Sequence, residues 1–126
     1  SHIIKPINAG FTDIPRNEAF CMELAQRSGF SIPNSKIMKI GGHELFVVDR
    51  YDRQELNKEI VRFHQEDFCQ AMGLSHELKY QADGGPGLKA CFDLVRSYSA
   101  NPIKDFQQLM QWVFFNYLIG NMDGHA

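Results

Sequence analysis

Between residues 106 and 119 the apolar side chains Phe106, Leu109, Met110, Val113, Phe114, Tyr117 and Leu118 recur at steps of three and four, with Lys104, Asp105, Gln107, Gln108 and Gln111 in the polar positions. That period belongs to a helix with one face turned to a core. Gly120 ends the pattern, and residues 121–126 read as a polar turn, so Asp123 is presented by a core-packed scaffold. A carboxylate held where backbone regularity stops is placed to act as a base. Asp123-Gly124 is equally an ordinary turn dipeptide, and the tetrapeptide Asp123-Gly124-His125-Ala126 alone leaves both readings open.

A chain of 126 residues, 44% apolar and 12% aromatic, is long enough to bury one core and forms one domain or a piece of one. The net charge of -2, from 13 basic and 15 acidic residues, supplies no field to hold nucleic acid or an anionic membrane, so contact with DNA is expected only through a partner. Cys21, Cys69 and Cys91 are odd in number, widely spaced and set in apolar segments, as reduced structural thiols are, which points to the cytoplasm. No apolar run approaches the roughly 18 residues that span a bilayer, and the start, Ser1-His2-Ile3-Ile4-Lys5-Pro6, lacks the pattern of a signal peptide.

The expected class is α+β, a small sheet-rich part followed by a helical part. Residues 2–6 read as a strand closed by a proline, 7–15 as loop, and 16–27 as a helix stopped by Ser28-Gly29. Strands at 36–40 and 44–50 flank Gly41-Gly42, a pair that can adopt the positive φ angles of a tight hairpin. The second of these strands, with Leu45-Phe46-Val47-Val48, is apolar throughout and expected to be central. Residues 51–59 are charged and read as a linker, 65–72 as a short helix ended by Gly73, and 81–87 as irregular because of Asp83-Gly84-Gly85-Pro86-Gly87. Helices at 88–98 and 103–119 complete the order. The boundary between the two parts is expected after Asp52.

Lys5 ends an apolar strand and Glu18 lies early in the next helix. A strand lysine paired with a helix glutamate is how kinase-type folds aim an ammonium at nucleotide phosphates, although a surface lysine beside a first-turn glutamate fits the same pattern. Val47-Val48-Asp49-Arg50-Tyr51-Asp52-Arg53 runs from an apolar strand into alternating charge. Such a strand end can offer backbone groups to a purine edge and a ring such as Tyr51 for stacking, or it can be a strand exit capped by solvated ion pairs. His2, His43, His64, His76 and His125 share no ligand spacing with each other or with the cysteines, and no metal ligand is assigned within the chain. Cys-His nucleophilic catalysis is not favoured, because no cysteine sits in a polar or glycine-flanked setting.

Taken in order, His2-Ile3-Ile4-Lys5-Pro6, Arg16-Asn17-Glu18-Ala19-Phe20, Val48-Asp49-Arg50-Tyr51-Asp52-Arg53, Gln65-Glu66-Asp67-Phe68-Cys69-Gln70-Ala71-Met72-Gly73-Leu74, Lys79-Tyr80, Gly84-Gly85-Pro86-Gly87 and Gly120-Asn121-Met122-Asp123-Gly124-His125-Ala126 resemble the C-terminal kinase region of the HipA family, the toxin kinases of bacterial toxin–antitoxin modules. The likeness spans nearly the whole chain. It implies a serine/threonine protein kinase with an atypical two-lobed fold, linked to persistence, that binds ATP and magnesium and meets a HipB-like antitoxin. Family substrates include aminoacyl-tRNA synthetases. On this resemblance residues 1–52 are a remnant of the small lobe and 53–126 the helical lobe up to the catalytic loop. Lys5 contacts the ATP phosphates, Asp49, Arg50 and Tyr51 hold adenine, and Asp123 is the catalytic aspartate. Gln65, Glu66 and Asp67 belong to a signature near the active site, and Glu18 and His125 stand as support.

The family also carries a glycine-rich phosphate loop, expected before Ser1, and an asparagine and a magnesium-binding aspartate, both expected past Ala126. The chain is therefore read as a fragment, expected to be inactive and self-associating by itself. An alternative of another class is a non-catalytic kinase-like module that docks an antitoxin or other regulator.

Overall fold

The computed structural model describes residues 1–7 and 13–125. Along the chain run β1 (His2–Pro6), α1 (Ile14–Arg27), β2 (Ser35–Ile40), β3 (His43–Asp49), β4 (Arg53–Leu56), β5 (Glu59–Arg62), α2 (Phe68–Ala71), α3 (Leu88–Tyr98) and α4 (Pro102–Leu118). Two short 3-10 turns, His76–Leu78 and Gln81–Asp83, lie between α2 and α3. These elements form two compact units, Ser1–His64 and Gln65–Ala126. The division falls later than the position after Asp52 suggested by the sequence, and it leaves β4 and β5 with the sheet-rich unit.

In the first unit β3 is central, as its apolar run predicts, with antiparallel partners in the order β1-β3-β2. Gly41 and Gly42, with φ of 58° and 82°, make the two-residue turn between β2 and β3. Phe46 and Val47 are 2% and 5% exposed. Successive strand residues point to opposite faces, so both faces of β3 are covered at this point. The helix α1 packs on β2 and β3, and the register shows which face it covers. Lys5 pairs with Phe46, cross-strand partners project to the same side, and Lys5 is bonded to Glu18 of α1. Phe46 is therefore on the helix side, and Asp49, three residues on, is on the other.

Three expectations change. The loop read over 7–15 is replaced at its end by the first turn of α1, in which Pro15 is buried. A proline fits there because its missing N–H has no intrahelical partner in any case; residues 8–12 lie outside the described residues. The linker read over 51–59 is largely the β4–β5 hairpin, whose turn residues Asn57 and Lys58 have φ of 52° and 68°. A two-residue hairpin turn needs positive φ at both positions, and Asn-Lys signals this far less strongly than Asn-Gly. The 81–87 segment, read as irregular, begins with the Gln81–Asp83 turn, after which Gly84 takes φ of 91°.

In the second unit α3 and α4 pack together, with the Phe92 and Phe106 rings edge-on at 5.2 Å. Cys69 and Cys91 are buried. The apolar face expected for α4 is only partly covered: Phe106, Leu109, Met110 and Val113 are half-buried, whereas Phe114, Tyr117 and Leu118 are exposed. The 11-residue α3 covers one strip of its neighbour, as a single helix contact does. The short α2, placed at the end of the 65–72 segment, is fixed by a capping box: Asp67 accepts the Gln70 N–H at 2.7 Å and Gln70 Oε1 accepts the Asp67 N–H at 3.0 Å.

Two substitutions test this packing. Phe46→Ala is expected to cost about 3–5 kcal/mol in urea unfolding followed by circular dichroism, as buried phenylalanines do, against under about 1 kcal/mol for Phe20→Ala, whose ring is exposed. Similar costs would contradict the placement of Phe46. At Gly85 a Cβ would lie 1.9 Å from the Leu78 carbonyl oxygen and 2.7 Å from that of Tyr80. Gly85→Ala is expected to lose about 1–3 kcal/mol, the usual cost of overpacking, because both obstacles are backbone; a neutral effect would mean that the loop does not close as described.

Candidate active site

In the first unit β1 and α1 bring Lys5 and Glu18 together, Nζ to Oε2, at 2.7 Å. The strand carries Lys5 out over the face on which α1 lies, and Glu18 meets it from the helix. Both side chains are partly exposed, so the pair contributes about 0–1 kcal/mol to stability. Its consequence is orientation: the ammonium is held in one place while keeping further donors. Beside it, Arg16 makes two bonds to Glu44, at 2.7 and 3.1 Å, and fastens the start of α1 to β3.

At the far end of β3, Asp49 lies on the opposite face. Its carboxylate accepts from Asn34 Nδ2 at 3.2 Å and lies 3.0 Å from His2 Nε2, within a shallow pocket also lined by Ser35, Lys36 and Val47. The Asp49 N–H donates to the Asn34 carbonyl and the Arg50 N–H to the Ser1 carbonyl. The Arg50 guanidinium forms a fork on Asp52, at 2.8 and 2.6 Å, and Arg53 bonds the same carboxylate. The Arg50 fork, followed by the charge of Arg53, holds the Asp52 carboxyl far below its ordinary range, a shift opposed by desolvation. The Arg50 side chain is thus committed to Asp52, and the Tyr51 ring, 71% exposed, is the surface left for stacking.

In the second unit the end of α4 places Asp123. Gly120 takes φ of 67°, its N–H bonds to the Tyr117 carbonyl at 3.2 Å, and the Asn121 N–H bonds to the Asn116 carbonyl at 2.9 Å. This pair of bonds is the Schellman ending, which needs a left-handed residue and so favours glycine. Asn121 then works in both directions: its Nδ2 donates to Asn116 Oδ1 at 2.9 Å, and its Oδ1 accepts the Asp123 N–H at 3.0 Å. The backbone of Asp123 is thereby tied to the last turn of the helix, as the 106–119 periodicity followed by Gly120 predicts.

The Asp123 carboxylate accepts the Tyr80 hydroxyl on Oδ1 at 2.5 Å. That bond, assisted by the charges of Lys79 and His125 against some desolvation, holds its pKa below the ordinary carboxylate value. The group is therefore ionised at neutral pH and acts as an acceptor. Tyr80 also meets the His125 ring edge-on at 5.4 Å and lies under Lys79 Nζ at 4.9 Å. Sequence reasoning names no role for Tyr80. The available signal is its position just before the Gly84-Gly85 loop, whose carbonyl contact at Gly85 fixes the Tyr80 backbone.

Glu66 and Asp67 line one pocket with Phe68, Ala71, Leu94 and His125, so the 65–67 segment and the end of the Asp123 turn meet in the second unit. Gln65 precedes them and is exposed. The bonds made by Asp67 are those of a helix cap. Among the described residues no three of His, Cys, Asp and Glu gather as a metal-binding group, and no helix is long and apolar enough to cross a membrane.

Comparison with known proteins supplies the family. The model of the HipA-like C-terminal domain matches residues 1–126. A Sinorhizobium fredii protein named "Putative kinase Y4mE" is 42% identical over 127 residues, covering 100% of this chain and 30% of its own length. The Shewanella oneidensis "Serine/threonine-protein kinase toxin HipA" is 34% identical over 122 residues, covering 87% of this chain and 28% of its own. Among solved structures, a chain in the complex of Shewanella oneidensis HipA, HipB and operator DNA superposes with a TM-score of 0.80 at 31% identity, covering 99% of this chain and 32% of that one. The present chain therefore spans about a third of the length of the relatives it matches. With a family match across its whole length and a mixed helix-and-sheet fold like that of its solved relative, the chain belongs to the HipA-like C-terminal domain family.

Proposed function

We propose that this chain is the nucleotide- and hydroxyl-handling part of a serine/threonine protein kinase of a toxin–antitoxin module, with an atypical two-lobed fold in which the sheet-rich segment forms the small lobe and the helical segment the other. The observation that carries the reading is the Lys5–Glu18 pair at 2.7 Å, a strand ammonium held by a helix carboxylate in the manner that phosphate-binding lysines require. Relatives named as kinases support it.

Lys5 contacts the phosphates of ATP as a point charge. Adenine lies against the strand exit, where the Asp49 and Arg50 N–H groups are already bonded within the chain and the Arg50 side chain is held by Asp52. Recognition there falls to carbonyl oxygens and to the backbone and ring of Tyr51. Asp123 orients the serine or threonine hydroxyl of the protein substrate and receives its proton as the new O–P bond forms and the bond from the γ-phosphorus to the β,γ-bridging oxygen breaks, releasing ADP. Magnesium binds through one or two carboxylates together with nucleotide phosphates, and when bound it neutralises charge on the transferred group; no residue described here is assigned to it. Glu66, Asp67 and His125 line the pocket beside the Asp123 turn, and Gln65 precedes them. The substrate class follows the family resemblance, an aminoacyl-tRNA synthetase being the foremost candidate, and the protein acts in the cytoplasm.

A HipB-like antitoxin is the proposed partner, with DNA reached through it, because the solved relative is a complex of HipA with HipB and operator DNA. The same observation favours the second reading, a docking module without catalysis. Kinetics separate the two. In the full-length protein Asp123→Asn is expected to lower kcat for phosphoryl transfer by about 10²- to 10⁴-fold with ATP affinity within a few fold; unchanged turnover would remove Asp123 from the mechanism, and no turnover in the parent would leave the docking reading. Lys5→Ala is expected chiefly to weaken ATP binding measured by calorimetry, with Lys5→Arg a poor substitute. Undiminished binding in Lys5→Ala would return Lys5 to the surface.

A further inference from the structure

We infer that Tyr80 is the positioning residue for Asp123: its phenol holds one carboxylate oxygen so that the other is presented to the hydroxyl that is to be phosphorylated. The inference rests on the kinase reading above and adds to it a residue with no assigned role.

The geometry begins with the carboxylate. Oδ1 accepts the Tyr80 hydroxyl at 2.5 Å, and the Asp123 N–H is held by Asn121 Oδ1 at 3.0 Å. Among the described residues no hydrogen bond reaches Oδ2. Rotation about the Cβ–Cγ bond would otherwise exchange the two oxygens, and a single bond from a fixed phenol stops that exchange. Asp123 is exposed, so without such a bond its side chain would sample several rotamers.

Tyr80 must itself be fixed for this to matter, and three contacts fix it. Its carbonyl accepts the Gly85 N–H at 3.0 Å, a closure possible because Gly85 has no Cβ to meet the Leu78 and Tyr80 carbonyls. Its ring meets the edge of His125 at 5.4 Å, and Lys79 Nζ lies 4.9 Å from the ring centre. A cation over the ring face and a histidine against it favour one ring orientation. The half-buried phenol is thus a built support, and the Gly84-Gly85-Pro86-Gly87 loop acquires a task, that of closing the backbone behind Tyr80.

Two consequences follow with definite signs. The Tyr80 bond stabilises the charged form of Asp123 and is the foremost cause of its lowered pKa. Its removal raises that pKa toward the ordinary carboxylate value, so the Asp123 titration and the acidic limb of the kcat profile both move to higher pH. A loosened carboxylate also orients the attacking hydroxyl and accepts its proton less productively, since misplacement of about 1 Å costs on the order of 100-fold.

The test is Tyr80→Phe in the full-length protein, a change that keeps the ring and deletes the hydroxyl. Carbon-13 NMR of the Asp123 carboxyl is expected to show a higher titration midpoint in Tyr80→Phe than in wild type, a readout independent of phosphoryl transfer. Steady-state kinetics are expected to show kcat lowered roughly 10- to 100-fold, an ATP KM within a few fold, and the acidic limb displaced upward. Equal midpoints would overturn the inference, because the bond would not exist in solution. A displaced midpoint with unchanged kcat would overturn it too, since the bond would then do nothing for the reaction. Absence of transfer in the wild type would instead overturn the kinase reading and the catalytic role together, and is told apart because the displaced midpoint survives it.

Discussion

The alternation of side chains along β3 is the constraint on which the first unit depends. Phe46 and Val47 are buried on opposite faces, so the strand cannot shift by one residue without exchanging both sets of side chains. That fixed register places Lys5 across from Phe46, on the side where α1 lies, and Asp49 across from His2, on the other side. The ammonium and the strand-exit carboxylate are therefore sorted to different faces by parity alone. Lys5 gains Glu18 because the helix is there, and Asp49 gains His2 and Asn34 because it is not. A role for Asp49 in holding a purine would fall to its backbone, which agrees with the weak side-chain signal expected at such a strand end.

The second unit solves the same problem without a sheet. The Schellman ending at Gly120 and the Asn116–Asn121 pair fasten the backbone of Asp123 to α4, while Tyr80 reaches its carboxylate from a segment 43 residues earlier. The two anchors have different reach. A helix ending is local and recoverable from a dozen consecutive residues, whereas a tyrosine bond across the fold depends on how the intervening glycine loop closes. Disturbing Gly85 should therefore reach Asp123 only through Tyr80, while disturbing Gly120 should displace the whole turn.

This contrast explains what was legible in the sequence. An unbroken apolar run marks β3 as a central strand, helical patterning marks α3 and α4 nearly to their ends, and a glycine marks the stop before Asp123, because each signal lies within one segment. The pairing of Lys5 with Glu18 is visible because a strand lysine and a helix glutamate form a recurring geometry. The β4–β5 hairpin was not visible, since an Asn57-Lys58 turn and strands as charged as Arg53-Gln54-Glu55 carry little β signal; pairing, not composition, makes them strands. Half-coverage of α4 was equally hidden. A stripe of apolar residues tells that a face can be buried, and the packing of one neighbouring helix decides how much of it is.

A polar side chain's chemistry is set by the partner that the fold gives it, whether that partner lies 2 residues away, as for Arg50, or 43, as for Tyr80. Arg50 lies in a strand exit that reads either as a purine contact or as one capped by ion pairs, and its fork is closed on Asp52. Asp67 belongs to the 65–67 signature near the active site that the resemblance implies, and its carboxylate caps α2. Tyr80 looks like an ordinary aromatic before a turn, yet it touches the carboxylate on which the proposed chemistry turns. In each case the side chain's role is fixed by which of its polar atoms are already bonded within the fold. The atoms left over, Tyr51's ring at the strand exit and one oxygen of Asp123, are those to which the proposed contacts with a nucleotide and a hydroxyl are assigned.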